Sequence, residues 1–349
     1  MNKQEILRYV GDYSQLFGIK AYELVQGKAK GVRAFDVNNG AGLEFTVIAD
    51  RCLDIGKLSF QGVNCSYLSK TGFVSPVYYY GNDAAFFRNY FAGLLTTCGL
   101  RNVGSSTTDN GEFFALHGAI SNIPGEEVCA STTWEDEGPV MTISGKMREA
   151  RFFGENLLLN RKIVCPYGKN TISIHDCIEN IGFKTEQLMI LYHFNMGYPL
   201  LDEAAVFMSP SRTVVPRDAE AAKGADNWTE MQPPTPAYAE QVFYHDLRTD
   251  VEGNTCAAIV NLTQMLGIAF RFNKKQLFNL CQWKQMGEGE YVLGIEPSNC
   301  YVGGRLDPRN KDVMQHLEPG ETKNVDIQIE IISGPQEIYA LEEELNKYE

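Results

Sequence analysis

The chain has 349 residues, 44% hydrophobic and 21% charged, which supplies a large globular core and excludes a disordered chain. A formal net charge of −13 argues against nucleic acid or an anionic membrane as partner, since both select for basic surface. Nine cysteines stand singly, without a Cys-x-x-Cys pair, which fits a reducing cytoplasm; no apolar run reaches the roughly 18 to 20 residues that span a bilayer, and Met1 to Leu7 lacks the apolar stretch of a secretory signal.

In chain order, Ile6, Leu7, Val10, Tyr13, Leu16 and Phe17 fall near helical spacing, so residues 3–17 are expected to form a short N-terminal helix, interrupted at Gly11. Short β-like runs follow at 22–26, 31–37, 43–48 and 53–60, with Asn38-Asn39-Gly40 as a tight turn. Residues 69–112 read as an irregular functional stretch with a helix over 83–90 and a strand over 91–100 passing under a cleft. Four strand signals at 128–134, 140–147, 157–164 and 171–179 are separated by turns such as Glu137-Gly-Pro. A further strand begins at Leu188.

Residues 208–240 hold five of the 14 prolines and are expected to form a surface loop. Strand signals resume at Val242 and continue at 254–261, 267–272, 291–295 and 325–332, before a short acidic helix over 337–348. Even strand spacing, and no Pro/Gly/Ser linker, predict an all-β, mainly antiparallel fold: a large β-sandwich with a few short helices, residues 1–349 as one domain.

Three polar residues interrupt apolar strands. Alternation puts Met189, Leu191, His193, Asn195 and Gly197 on one face and Ile190, Tyr192, Phe194 and Met196 on the other, so the first face turns polar where a cleft would open. Glu296 intrudes likewise in Tyr291-Val-Leu-Gly-Ile-Glu-Pro-Ser, where Pro297 is expected to end the pairing and Gly294 to leave room for a ligand. His117 lies in Leu116-His-Gly118. Taken alone, a histidine in the place of His193 is more often a hydrogen-bonded structural residue than a catalyst, Glu296 is as readily an acidic residue at a solvent-exposed strand end as a functional one, and Trp283, beside Gln282, reads either as a stacking face or as core filler. No zinc spacing, P-loop, Rossmann fingerprint or Gly-x-Ser-x-Gly elbow occurs, so no metal or cofactor is expected. A histidine and a glutamate on inward strand positions suit general acid–base proton transfer.

The order of His117-Gly118, His193 in Tyr-His-Phe-Asn and Glu296 in Gly-Ile-Glu-Pro resembles the aldose 1-epimerase (galactose mutarotase) superfamily. Asp50-Arg-Cys-Leu-Asp-Ile-Gly56, Gly93-Leu-Leu-Thr-Thr-Cys-Gly99, Tyr198-Pro-Leu-Leu201 and Glu240-Gln-Val-Phe-Tyr-His-Asp246 resemble its uncharacterised epimerase-like branch. The resemblance covers nearly the whole chain. It implies a galactose mutarotase-like supersandwich, a small-molecule carbohydrate as partner, His193 as acid to the ring oxygen and Glu296 as base to the anomeric hydroxyl. It also implies sugar contacts from His117, Arg51, Asp54, Arg88, Asn195 and Gln282, with Arg51 and Asp54 readable instead as a structural ion pair. The family's Gly-Arg-x-x-Asn-Arg sequence is absent; Arg101 matches it in part, and Asp246 is the weakest stand-in for the family's aspartate. Two other readings stay open: a carbohydrate-binding or sensing protein without turnover, and a metal-assisted sugar isomerase or lyase.

Overall fold

A computed structural model describes residues 3–349. Strands such as Gly138–Ala150 and Thr322–Ser333 alternate buried and less buried side chains, whereas Glu186–Met196 and Glu290–Ser298 are buried on both faces, and the described strands form three large antiparallel sheets beside two two-stranded ones. The first is a meander of Gly18–Glu23, Arg33–Asn38, Leu43–Ile48, Asp54–Phe60 and Val63–Asn64. The second has eight strands in the order Glu126–Glu135, Gly138–Ala150, Asn156–Pro166, Thr171–Asn180, Thr322–Ser333, Leu266–Asn273, Asn254–Asn261 and Ala205–Met208. The third runs Ser211–Pro216, Gln241–Leu247, Asn279–Gly287, Glu290–Ser298, Glu186–Met196 and Gln315–Leu317, with Leu95–Leu100 also paired to Glu186–Met196.

The second and third sheets face each other across one apolar layer. Ile190, Tyr192, Phe194 and Met196 meet Ile259, Ile268, Phe270, Ile327 and Ile329 there, and Phe194 stacks on Phe270 at 4.2 Å between ring centres. Each such buried side chain contributes about 1.5–3 kcal/mol. This is the all-β, antiparallel sandwich expected. On the outer side of the eight-stranded sheet, the helix Pro335–Leu345 lays Ile338, Leu341 and Leu345 against Cys256, Ala258, Val260 and Ala269. No described helix is long and apolar enough to cross a membrane.

The strand Asn279–Gly287 is absent from the sequence reading, and two further segments differ from it. The N-terminal helix shrinks to Lys3–Ile6, followed by a single 3-10 turn, Tyr13–Gln15, because Gly11 breaks the helix and the Asp12 carboxylate accepts from the Ser14 N–H to start a new turn. The Pro-rich stretch 208–240 contains the edge strand Ser211–Pro216 and the short helix Ala219–Ala222. It is tied to the sheet by the fully buried Lys284, whose Nζ donates to the carbonyls of Asn227 and Glu230.

Candidate active site

The cleft face of the third sheet places its chemistry by register. Leu191 pairs with Ser298 and Phe194 with Ile295, so His193 lies directly opposite Glu296; Glu296 in turn pairs with Cys281, and His193 with Thr96. Side chains on directly opposed residues share a face and come within about 5.5 Å at Cβ. The His193 Nε2 accordingly lies 3.2 Å from Glu296 Oε1, with both side chains almost wholly buried. The two atoms are close but not aligned as donor and acceptor, and Oε1 has no hydrogen-bond partner among the described residues. A buried carboxyl oxygen left without a donor is costly, which singles this pair out from the hydrogen-bonded polar groups around it.

Pairing continues through Pro297 and Ser298, so Glu296 sits within its strand rather than at the end. Gly294 serves the pair itself: a Cβ there would come within 2.5 Å of Glu296 Oε1 and 3.3 Å of His193 Cε1. Burial pushes the Glu296 carboxyl up to about 8, a rise that the neighbouring Cys281 thiol partly opposes. Burial, reinforced by the nearby His117, holds His193 well below the usual imidazole range. Both groups therefore rest in their neutral forms near pH 7.

Around the pair stand Tyr90, His117 and Trp283. The Tyr90 hydroxyl donates to Asn195 Oδ1 at 2.8 Å and lies 3.3–3.4 Å from both ring nitrogens of His193. Asn195 is held in turn by donating to the carbonyls of His193 and Ala92. His117 adopts φ +57° and is followed by Gly118 at φ +73°, where a Cβ would strike the Gly99 carbonyl oxygen at 2.2 Å. Gly118 is thus a steric requirement of docking this loop on the Leu95–Leu100 strand. The Gly104 N–H donates to His117 Nδ1 at 3.3 Å, which leaves Nε2 to carry the proton of the neutral ring; burial lowers that ring's pKa to about 4. Trp283 meets His193 edge to face at 5.4 Å and donates to Glu240, which also accepts from Arg217.

These residues line a cavity of 510 Å³, within the range of small-molecule sites. Of the residues singled out in the sequence, His193, Glu296, His117 and Trp283 line it. The others have different places. Arg51 is fully buried and spends its guanidinium on the carbonyls of Ser121, Val74 and Asn89. Asp54 is also fully buried and pairs with Arg161 rather than Arg51. Gln282 points to the opposite side of its strand from Trp283 and bonds His245 and the Trp228 carbonyl. Arg88 is exposed on the helix Asp83–Asn89 and is not among the lining residues. Asn195 is not among the lining residues and bonds two that are, Tyr90 and His193. Arg101 is engaged by Glu112, Glu155 and Glu186, and Asp246 by Lys274.

Sequence reasoning missed Tyr90, Cys281, Arg217 and Glu240. Glu240 opened a segment already noted as similar to the epimerase-like branch, and Cys281 shares the cleft face with Trp283 by alternation. Tyr90 and Arg217 lie just beyond the ends of short elements, where no periodicity signals a direction. Among the described residues no group of three or more His, Cys, Asp or Glu side chains is placed to hold a metal ion.

Residues 29–331 match the family model described as a domain of unknown function, DUF4432. The chain belongs to this family. No curated protein matches it. A candidate aldose 1-epimerase from Klebsiella pneumoniae superposes with a TM-score of 0.90 at 25% identity, covering 96% of this chain and 90% of that one. A galactose mutarotase-like protein from Clostridium acetobutylicum gives a TM-score of 0.64 at 13% identity, covering 91% and 99%. A galactose 1-epimerase from Lactobacillus acidophilus gives 0.56 at 13%, covering 91% and 99%. This member of the DUF4432 family therefore has the galactose mutarotase-like sandwich, a sugar epimerase-like fold.

Proposed function

We propose that this protein is a sugar isomerase of the aldose 1-epimerase type, interconverting the anomers of an aldose by general acid–base catalysis with His193 and Glu296. The observation that carries the reading is the deep juxtaposition of these two side chains, with Glu296 Oε1 unpartnered and both residues lining the cavity. Beyond the N–H of a neutral imidazole, the resting pair holds one titratable proton, on the Glu296 carboxyl. Its working tautomer, imidazolium and carboxylate, holds the same number, and reaching it requires Nε2 and Oε1, 3.2 Å apart, to reorient into line for the transfer.

In that tautomer Glu296 takes the proton of the anomeric hydroxyl while His193 protonates the ring oxygen. The C1–O5 bond breaks as the C1=O bond forms, C1 rotates about C1–C2, and reversal of both transfers recloses the ring on either face. His117 offers its Nε2–H to a sugar hydroxyl, Trp283 a flat apolar wall, and Tyr90 steadies the His193 ring. The chain works as one unit in this reading, since the lining runs from Tyr67 to Val302; its free cysteines suit a reducing cytoplasm.

Saturation-transfer NMR of anomer exchange across a panel of aldoses tests the proposal. Exchange above the spontaneous rate, lost in Glu296→Gln and His193→Ala, supports it. Full activity in either variant sinks the mechanism, and tight sugar binding without exchange selects a binding or sensing role.

A further inference from the structure

The cavity has a gradient of depth and a pattern of charge that together describe its occupant. At the bottom, the His193 and Glu296 side chains are 7% and 4% exposed. At the mouth, Phe87 is 67% exposed, and the side chains of Lys70 and Glu290 are 74% and 48% exposed. All five line the same 510 Å³ space. An anomeric carbon that reacts at His193 and Glu296 has to enter first, so the far end of its ring, and anything attached there, faces the mouth. Cavities of this size enclose drug-sized ligands, whereas a free hexose has only twelve heavy atoms. The outer walls, Tyr67 and Phe87, are flat apolar surfaces, and Tyr67 is held in place by donating to the Gly289 carbonyl at 3.1 Å.

Charge limits what the outer space accepts. The two cations lining the cavity, Lys70 and Arg217, are both already paired. Lys70 pairs with Glu290, and Arg217 with Asp218 and Glu240. Glu240 is further fixed by the Trp283 indole N–H at 2.8 Å. A phosphate or carboxylate approaching either cation would have to displace a carboxylate and then sit beside it, and like charges at a binding surface are strongly disfavoured. Sugar hydroxyls meet no such penalty, because each can donate to a carboxylate that already accepts from a cation.

We infer that the cavity takes the reducing end of a neutral disaccharide, with the reacting aldose on His193 and Glu296 and the second ring between Tyr67 and Phe87, and that it rejects phosphorylated and acidic sugars. The inference rests on the aldose reading above for which end enters first.

The test compares anomer exchange by the full-length protein for glucose, for maltose, cellobiose and lactose, and for glucose 6-phosphate and glucuronate. At least one disaccharide is expected to show a kcat/KM tenfold or more above glucose, and the two anionic sugars tenfold or more below it. Phe87→Ala should raise KM for that disaccharide about tenfold with little change in kcat. Glu290→Gln, which releases Lys70, should raise the kcat/KM of glucose 6-phosphate relative to glucose at least threefold. Glucose matching or exceeding every disaccharide overturns the second subsite, and anionic sugars at parity overturn the charge argument. Calorimetric binding of the same sugars to Glu296→Gln separates this inference from the reaction itself. A tenfold preference for a disaccharide, with no exchange by the wild type, keeps the occupant and removes the epimerase; no binding and no exchange by any of them overturns both.

Discussion

The strand Glu186–Met196 carries two buried ionisable clusters, one on each face and one residue apart, and they differ in how completely they are hydrogen-bonded and in whether they open on a cavity. Beneath Tyr192, Arg161 directs its guanidinium to Asp54, Asp176, Thr97 and the Cys52 carbonyl, and Tyr192 itself donates to Asp176. Asp54 also accepts from the Thr97 N–H and hydroxyl. This network joins all three sheets, and its charged members are buried and hydrogen-bonded. Above, at His193, the pair with Glu296 keeps one carboxylate oxygen without a donor and opens on a cavity. Burial raises both carboxyls, Asp54 to about 6 and Glu296 to about 8, so a shifted pKa does not tell the two apart. What separates structure from chemistry is satisfaction: a completed network has nothing left to offer a ligand.

The largest effects should fall on opposite observables for the two clusters. Glu296→Gln and His193→Ala should each lower kcat/KM for anomer exchange by about 100-fold to 10,000-fold, the usual worth of a positioned acid or base, with the fold retained. Arg161→Met should leave two buried aspartates uncompensated and cost about 3–5 kcal/mol in urea unfolding. An Arg161→Met protein as stable as wild type would remove the contrast altogether.

Glu296→Gln should also stabilise the protein, because the functional cluster is the strained one. The Glu296 carboxyl is raised from 4.5 to about 8, so the folded state holds its proton more tightly than the unfolded state between those values. Wild-type stability therefore falls as pH rises through that window, and the penalty is complete above about 8. The variant should gain on the order of a few kcal/mol at pH 9 and almost nothing near pH 4; equal gains at both would show that titration is not the cause. The same shift predicts a pH profile for the reaction. Activity should hold from well below pH 6.5, where His193 would take a second proton, and fall as pH passes about 8, where the pair loses its only one. A profile still flat at pH 10 would contradict the single-proton pair.

Tyr90→Phe should have a smaller effect, leaving Asn195 Oδ1 without its donor at a cost of about 1–3 kcal/mol in stability and loosening the His193 ring. Smallest of all, Arg88→Ala should change stability by less than about 0.5 kcal/mol, since the side chain is exposed and outside the cavity.

Much of this was legible in local pattern. Strand alternation separated Ile190, Tyr192, Phe194 and Met196 from His193, and the same rule set Glu296 apart from Leu293 and Ile295, because the two faces of a strand differ within two residues. Alternation also carried information left unused: Gln282 and Trp283 are neighbours on one strand, so only one of them could face the cleft. Arg51 and Asp54 were harder. Cys52 and Leu53 between them turn at φ +57° and +52°, which breaks the strand period, and the true partner of Asp54 is Arg161, 107 residues on.

By itself, then, the sequence determined the sandwich, most of its strands and the two polar residues that interrupt them, since each of these depends on a period of two within a few residues. Only the tertiary structure decided that His193 and Glu296 are register partners, that one buried aspartate is completed by a distant arginine while one buried glutamate is not, and where the cavity runs. Those depend on which strands lie side by side, and pairing across more than a hundred residues leaves no trace in local pattern.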